Sequence, residues 1–263
     1  MKKSVNTKIK IKINNVTPLV FTALLIGLWQ LAADTGKVPG FMLPSPVKVL
    51  KTFITAMPEM KRHIIVTLKE AFIGLAISIA LSLVLAILMD SLKVVKKALY
   101  PLLLVSQMIP IIALAPLFVL WFGFGMLPKI IVVVLTCFFP IVISLLEGLN
   151  SVDTDMLNLL KAMGASKIQI FKLVKFPASM VSFFSGLRIS TTYSIMGAVI
   201  AEWLGGTSGL GLYMINVKRS YSVDKVLAAT LVIVILSMAL FKVVEILQNL
   251  AMPWHKYMGG RDG

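Results

Sequence analysis

The residue types that most often carry chemistry are sparse in this chain and do not converge. His63 and His255 stand far apart, and neither has cysteines or carboxylates beside it at metal-ligand spacing. No Gly-x-x-x-x-Gly-Lys-Ser/Thr run exists to cradle nucleotide phosphates, and no serine, histidine and aspartate fall in a credible hydrolytic arrangement. The single cysteine, Cys137, excludes an intrachain disulfide and any oxidised framework. The expectation is a chain that is not an enzyme and holds no metal or cofactor of its own. Two features remain with chemical potential. One is a polar, lysine-bearing stretch from Asp153 to Pro177, and the other is a set of ionisable residues embedded in apolar sequence, Glu147, Arg188 and Glu245.

The polar stretch, DTDMLNLLKAMGASKIQIFKLVKFP, reads as two short helices broken at a glycine. Asp153 or Thr154 is the N-cap of the first, whose apolar positions Met156, Leu160 and Met163 recur at helical spacing. Gly164 ends it, because glycine takes the left-handed conformation that a C-terminal cap needs. Ser166-x-x-Gln169 forms a capping box for the second helix. Pro177 is expected to stop that helix, since a proline disfavours helical geometry in the residue before it. Such a helix pair suits docking onto a soluble partner. An equally simple alternative lays it on the bilayer, with Lys161, Lys167, Lys172 and Lys175 against lipid phosphates.

The surrounding sequence must position this stretch, and it is that of a membrane protein. Hydrophobic residues make up 58% of the chain and charged residues only 14%, which excludes an ordinary soluble domain. Apolar segments long enough to cross a hydrocarbon core of about 30 Å lie near Thr17–Ala33, Thr67–Met89, Leu99–Phe122, Lys129–Leu149, Ser179–Ala201 and Lys225–Leu250. The expected fold is an all-α integral membrane protein with a six-helix bundle. A basic tail over 1–16 precedes the transmembrane domain over 17–250, and a short tail over 251–263 follows it. Pro110, Pro116 and Pro140 inside the spans are tolerable, because neighbouring helices re-satisfy the backbone groups a proline frees.

Lysine and arginine placement favours cytoplasmic N- and C-termini. In that orientation the inner segments carry the N-terminal lysines, Lys93, Lys96, Lys97 and the lysines of the polar stretch, and they outnumber the basic residues left outside. The net charge of +15 then needs no nucleic acid, because basic residues at helix ends meet anionic lipid headgroups. The N-terminus also has the look of a signal peptide, with Leu31-Ala32-Ala33 as a cleavage site. An uncleaved first helix is preferred, since its apolar run is long and its loss would invert the charge asymmetry.

The polar stretch resembles the EAA loop of binding-protein-dependent ABC transporter permeases. Gly164-Ala165-Ser166, Phe171, Val174 and Pro177 match that pattern, while Asn158, Leu159 and Leu160 stand where the Glu-Ala-Ala residues belong. Further blocks resemble the nitrate/sulfonate/taurine/thiamine-precursor type of permease. They are Pro101-Leu102-Leu103 through Ile109-Pro110, Ala115-Pro116-Leu117, Trp121 to Gly125, Leu146-Glu147-Gly148, Ser185 to Ile189, Gly197 to Glu202, and the glycine-rich run from Gly205 to Leu212. Leu43-Pro44-Ser45-Pro46 fits as well, so the resemblance runs over roughly residues 40 to 250.

The resemblance implies a permease subunit in the bacterial or archaeal inner membrane, paired as a homodimer. It further implies two ATPases, which bind the ATP, and an extracytoplasmic solute-binding protein. The stretch 153–177, between the fourth and fifth spans, becomes the ATPase-coupling loop. Asn158, Lys161, Ala162, Gly164, Ala165, Ser166, Lys167, Ile168, Phe171 and Pro177 are its candidate coupling residues, with Ile168 and Phe171 as apolar anchors. Asp34 to His63 and Glu202 to Tyr221 are candidate surfaces for the binding protein. Gln107, Tyr193 and Met196 are candidates to line the pathway. For Arg188 two readings stay open: an ion pair with Glu147 or Glu245 that fixes packing, or recognition of an anionic solute, since charge within a span is costly enough to suggest function. Two other classes also remain, a secondary transporter driven by an ion gradient and a structural membrane subunit. The first lacks visible repeats or paired midplane carboxylates, and the second leaves the loop without a purpose.

Overall fold

The computed structural model describes residues 3–253, with side chains from residue 16 onward, and the described residues are helical nearly throughout. The tail residues Trp254–Gly263, including His255, lie outside the described residues. The helices are α1 (Lys3–Asp34), α2 (Pro46–Ser91), α3 (Lys93–Ser106), α4 (Ile111–Phe122) and α5 (Met126–Asn150). They continue with α6 (Thr154–Ala162), α7 (Lys167–Ile170), a π-turn (Phe171–Lys175), α8 (Phe176–Gly205), α9 (Leu210–Arg219) and α10 (Val223–Ala251). Five stretches are long and apolar enough to cross a membrane: Val16–Asp34, Met57–Ser91, Met126–Asn150, Lys167–Gly205 and Val223–Ala251. The pair α3 and α4 makes a sixth if counted together. The protein is an all-α, multi-span membrane bundle.

Three boundaries depart from the sequence expectation. The segment expected to be an external loop before Thr67 is mostly helix, because α2 already starts at Pro46. Ser45 Oγ accepts from the Lys48 N–H at 3.3 Å, and Pro46 sits in the first turn, where its missing N–H costs nothing. The third expected span, Leu99–Phe122, is not one rod: α3 and α4 meet at 99°. The break falls at Pro110, which caps α4 and has no N–H to continue the ladder from α3. Finally, Pro177 does not stop a helix. It sits in the first turn of α8, and the π-turn just before it passes the helix through. An i→i+5 turn shifts the hydrogen-bond register, so the proline ring avoids the carbonyl it would strike in an α-helix. Lys167–Gly205 is consequently one helical run from the loop into the membrane.

The chain divides into two compact units, residues 1–59 with 214–231, and residues 60–213 with 232–263. In the smaller, Thr52 donates to Asp224 at 2.9 Å and Lys225 pairs with Glu59 at 2.8 Å. The larger is centred on α5 and α8, which pack through small residues. A Cβ on Gly186 would lie 2.6 Å from the Pro140 carbonyl oxygen, and one on Gly148 would lie 2.9 Å from Ser179 Cα. Without a hydrophobic drive between spans, this close backbone approach gives the van der Waals contact that holds them. Hydroxyls add to it: Ser190 donates to the Cys137 carbonyl at 2.8 Å, and Ser78 and Ser82 of α2 donate to Val134 and Phe138 of α5. Ile141, Leu145, Leu149 and Ile195 are fully buried at this junction.

Candidate functional site: a capped helical loop, an open helix face and a buried polar cluster

The 153–177 stretch folds much as its capping residues dictate. Asp153 Oδ1 accepts from the Asp155 N–H at 2.9 Å and caps α6. At the other end Gly164 has φ +85°, and two bonds close the end: Gly164 N–H to the Lys161 carbonyl at 2.9 Å and Ala165 N–H to the Leu160 carbonyl at 3.0 Å. These are the paired bonds of a Schellman motif. Ser166 and Gln169 then bond reciprocally, at 2.8 and 3.3 Å, to start α7. The start and end of α6 and the start of α7 therefore each have a local cause, and the loop is a shaped element.

Its two sides differ. Leu157, Leu160, Ala165 and Phe171 are half-buried and Ile170 is buried, so these face the bundle. Phe171 packs against the main apolar core and lies 5.8 Å from the Phe176 ring, which makes it an internal anchor of the loop. Outward stand Met156, Asn158, Leu159, Lys161, Ala162, Met163, Lys167 and Ile168. Met163 is 74% exposed, Ile168 68% and Leu159 61%, an apolar stripe that nothing in the chain covers among the described residues. Of the expected α6 face, Met156 and Met163 are outward and only Leu160 turns in. Behind the loop a cavity of about 450 Å³ is lined by Ile87 and Asp90 from the end of α2 and Lys93 from the start of α3, with Lys161, Lys167 and Phe171. Asp90 pairs with Lys175 and ties the end of α2 to the π-turn.

The residues singled out inside the apolar sequence separate. Gln107 is exposed at the α3–α4 break. Glu147 is exposed on α5, and Glu245 pairs with Lys242 one turn away at 2.8 Å. Neither reaches Arg188, which has no ion pair among the described residues. Arg188 lies half-buried on an open face of α8 with Thr192, Tyr193 and Met196. Thr192 and Met196 border a groove of about 680 Å³ whose other wall is α10, with Ile233, Ser237, Met238 and Phe241.

Sequence reasoning missed a third constellation, between the middle of α2 and the end of α8. Lys129 Nζ meets Glu70 Oε1 at 2.6 Å with both side chains almost fully buried. Glu202 is fully buried: Oε1 accepts from Thr67 Oγ1 at 2.7 Å and Oε2 from the Gly211 N–H at 2.6 Å. Thr67 Oγ1 accepts in turn from the Leu210 N–H at 2.9 Å, and His63 Nδ1 accepts from the Gly209 N–H at 3.0 Å. Glu70 Oε2 is buried with no hydrogen-bond partner among the described residues. The available signal was a charge inside an apolar run, which must find a partner. That partner lies 59 residues away for Lys129 and 135 for Thr67, beyond any spacing rule.

Residues 78–255, which hold the docking-type loop, α5 and α8, match the family described as binding-protein-dependent transport system inner membrane component. The chain belongs to this family. The permease is 37% identical to the formylaminopyrimidine transport permease of Halalkalibacterium halodurans over 91% of its own length and 96% of that protein's. It is 28% identical to an aliphatic sulfonates transport permease of Bacillus subtilis, covering 92% and 88% of the two chains. It is 29% identical to the taurine transport permease of Escherichia coli, covering 89% and 87%. These relatives are of the sulfonate, taurine and thiamine-precursor type that the sequence resembled. Family membership classifies the chain as a transport permease.

Proposed function

We propose that this permease forms half of the solute pathway of an ATP-driven importer and that its 153–177 loop carries the stroke of a separate ATPase. The observation that carries the reading is the outward apolar stripe of Leu159, Met163 and Ile168 on a fully capped loop that runs unbroken into α8. A surface that rests on lipid needs no such rigid link to a span, whereas a coupling element does. Asn158, Lys161, Ala162, Ala165, Ser166 and Lys167 frame the contact, Gly164 gives it shape, and Phe171 and Pro177 join it to the bundle. The termini and the loop are cytoplasmic, and an extracytoplasmic binding protein delivers the solute on the opposite side. A second copy of the chain completes the pathway across the open α8 face.

The solute is a small polar molecule of the formylaminopyrimidine, taurine or sulfonate kind. Arg188, half-exposed beside Thr192, Tyr193 and Met196 and without a carboxylate partner among the described residues, favours recognition of an anionic group over a packing role. The test reconstitutes the permease with its ATPase and binding protein in vesicles and follows solute uptake with ATP. Arg188→Ala should accumulate normally and lose uptake. Normal uptake by Arg188→Ala refutes the pathway assignment, and ATP-independent uptake by the unaltered permease refutes the importer reading.

A further inference from the structure

We propose that Glu202, Thr67 and His63 form a latch that positions the glycine turn 206–211 on α2, its Gly209 corner held only while the His63 ring is neutral. Three consecutive backbone donors of the turn, at Gly209, Leu210 and Gly211, are each taken by a side-chain acceptor: His63 Nδ1, Thr67 Oγ1 and Glu202 Oε2. The fit allows no substitute at Gly209, which has φ +122° and where a Cβ would lie 2.1 Å from the Glu202 carboxyl. The Thr67 hydroxyl is the hinge of the arrangement. It accepts from Leu210 while donating to Glu202, so α2, α8 and the turn share one hydrogen-bond chain.

The latch is tied to the rest of the machine by α2 and α8 themselves. Thr67, midway along α2, is joined to Glu202 near the end of α8, and Asp90 near the end of α2 pairs with Lys175 of the π-turn that leads into α8, beside the 153–177 loop. At a rise of 1.5 Å per residue the two contacts are about 35 Å apart along α2. A displacement of the loop therefore reaches the turn as movement of a two-helix unit. Whether that serves uptake rests on the importer reading; the latch itself does not.

The protonation rule follows from donor and acceptor types. His63 Nδ1 accepts from the Gly209 N–H, so the neutral ring carries its proton on Nε2. A protonated ring presents N–H groups at both nitrogens, and Nδ1–H would point at another N–H. The Gly209 contact then turns from attractive to repulsive and that corner of the turn is released. The ring lies near the Tyr213 ring of α9 at 5.5 Å, with Glu202 of α8 beyond Gly209 and Thr67 one turn along α2; the Glu70–Lys129 ion pair lies two turns along α2. Lys61 and Arg62 of α2 are exposed. Protonation of the ring thus opens this corner of the turn by geometry alone, whatever the state of the other two acceptors.

Hydrogen–deuterium exchange of the purified full chain, with times scaled for the intrinsic exchange rate, reads the latch directly. Between pH 8 and pH 5, the unaltered chain should lose about tenfold of the protection over residues 205–213, as expected when a hydrogen bond becomes a repulsion. His63→Asn keeps an acceptor oxygen that does not titrate, and it should stay protected at both pH values. His63→Ala should show the lowered protection at both. Protection in the unaltered chain that is independent of pH, or a pH-dependent loss that persists in His63→Asn, overturns the proposal. ATP-driven uptake by the same proteins is the second arm. Loss of turn protection without a change in uptake would leave the latch standing and remove its role in transport.

Discussion

Gly164 offers a prediction whose magnitude is set by backbone geometry alone. Its φ is +85°, and a Cβ added there would meet nothing within 4 Å. A substitution is therefore penalised by the left-handed conformation and by no steric contact. The cost for an ordinary L-residue is about 1–2 kcal/mol, rising to about 3 kcal/mol where strain is greatest. Asparagine tolerates this region better than alanine although it is larger, and valine tolerates it least. Since about 1.4 kcal/mol is a factor of ten, Gly164→Asn should reduce the correctly shaped loop only severalfold. Gly164→Ala should reduce it by roughly tenfold and Gly164→Val by tenfold to a hundredfold. The assay is co-purification of the ATPase and its turnover when stimulated by solute-loaded binding protein, with membrane insertion as the control. The order Asn, Ala, Val is the expected result. Damage that tracks side-chain volume, with asparagine worse than alanine, would show that φ is not the determinant. An unimpaired Gly164→Val would refute the shape argument outright.

The remaining expectations concern the bundle. Lys129→Met leaves the buried Glu70 carboxyl without its cation and should cost about 3–5 kcal/mol, seen as a large fall in melting temperature in detergent. Lys129→Met combined with Glu70→Met should recover most of that loss, because an apolar pair of similar volume replaces the ion pair. Gly186→Leu would drive a Cβ to 2.6 Å from the Pro140 carbonyl and should lower assembled protein by prising α8 from α5. Gly27→Leu, with nothing within 4 Å, is the matched substitution and should leave assembly unchanged.

What could be read in advance was local. Asp153, Gly164 and the Ser166–Gln169 pair act on backbone groups within a few residues of themselves, so types and spacing sufficed to shape the loop. The same local logic misjudged Pro177, because a π-turn can relocate the hydrogen bond that a proline removes. Nothing in the types of Phe171 to Lys175 announces such a turn. Ser45-Pro46 is a local helix start that the sequence reading does not use, and Pro110 breaks the helix where the sequence suggests only a tolerable proline. The latch and the Glu70–Lys129 pair were illegible for a different reason. Their members come from separate helices, and only packing of α2, α5 and α8 brings them together. Arg188 shows the converse: sequence offered it Glu147 and Glu245 as partners, and the fold points it to neither.

The central claim is that the outward stripe of the 153–177 loop meets the ATPase. Single cysteines at Met163 and Ile168, in a Cys137→Ser chain, place a thiol on that stripe, and one at the equally exposed Leu120 of α4 serves as comparison. Treated with a short thiol cross-linker in membranes that also contain the ATPase, Met163→Cys and Ile168→Cys should give a permease–ATPase adduct and Leu120→Cys none. An intact, ATP-hydrolysing complex that yields no adduct from either loop position, or as much from Leu120→Cys, would contradict the account.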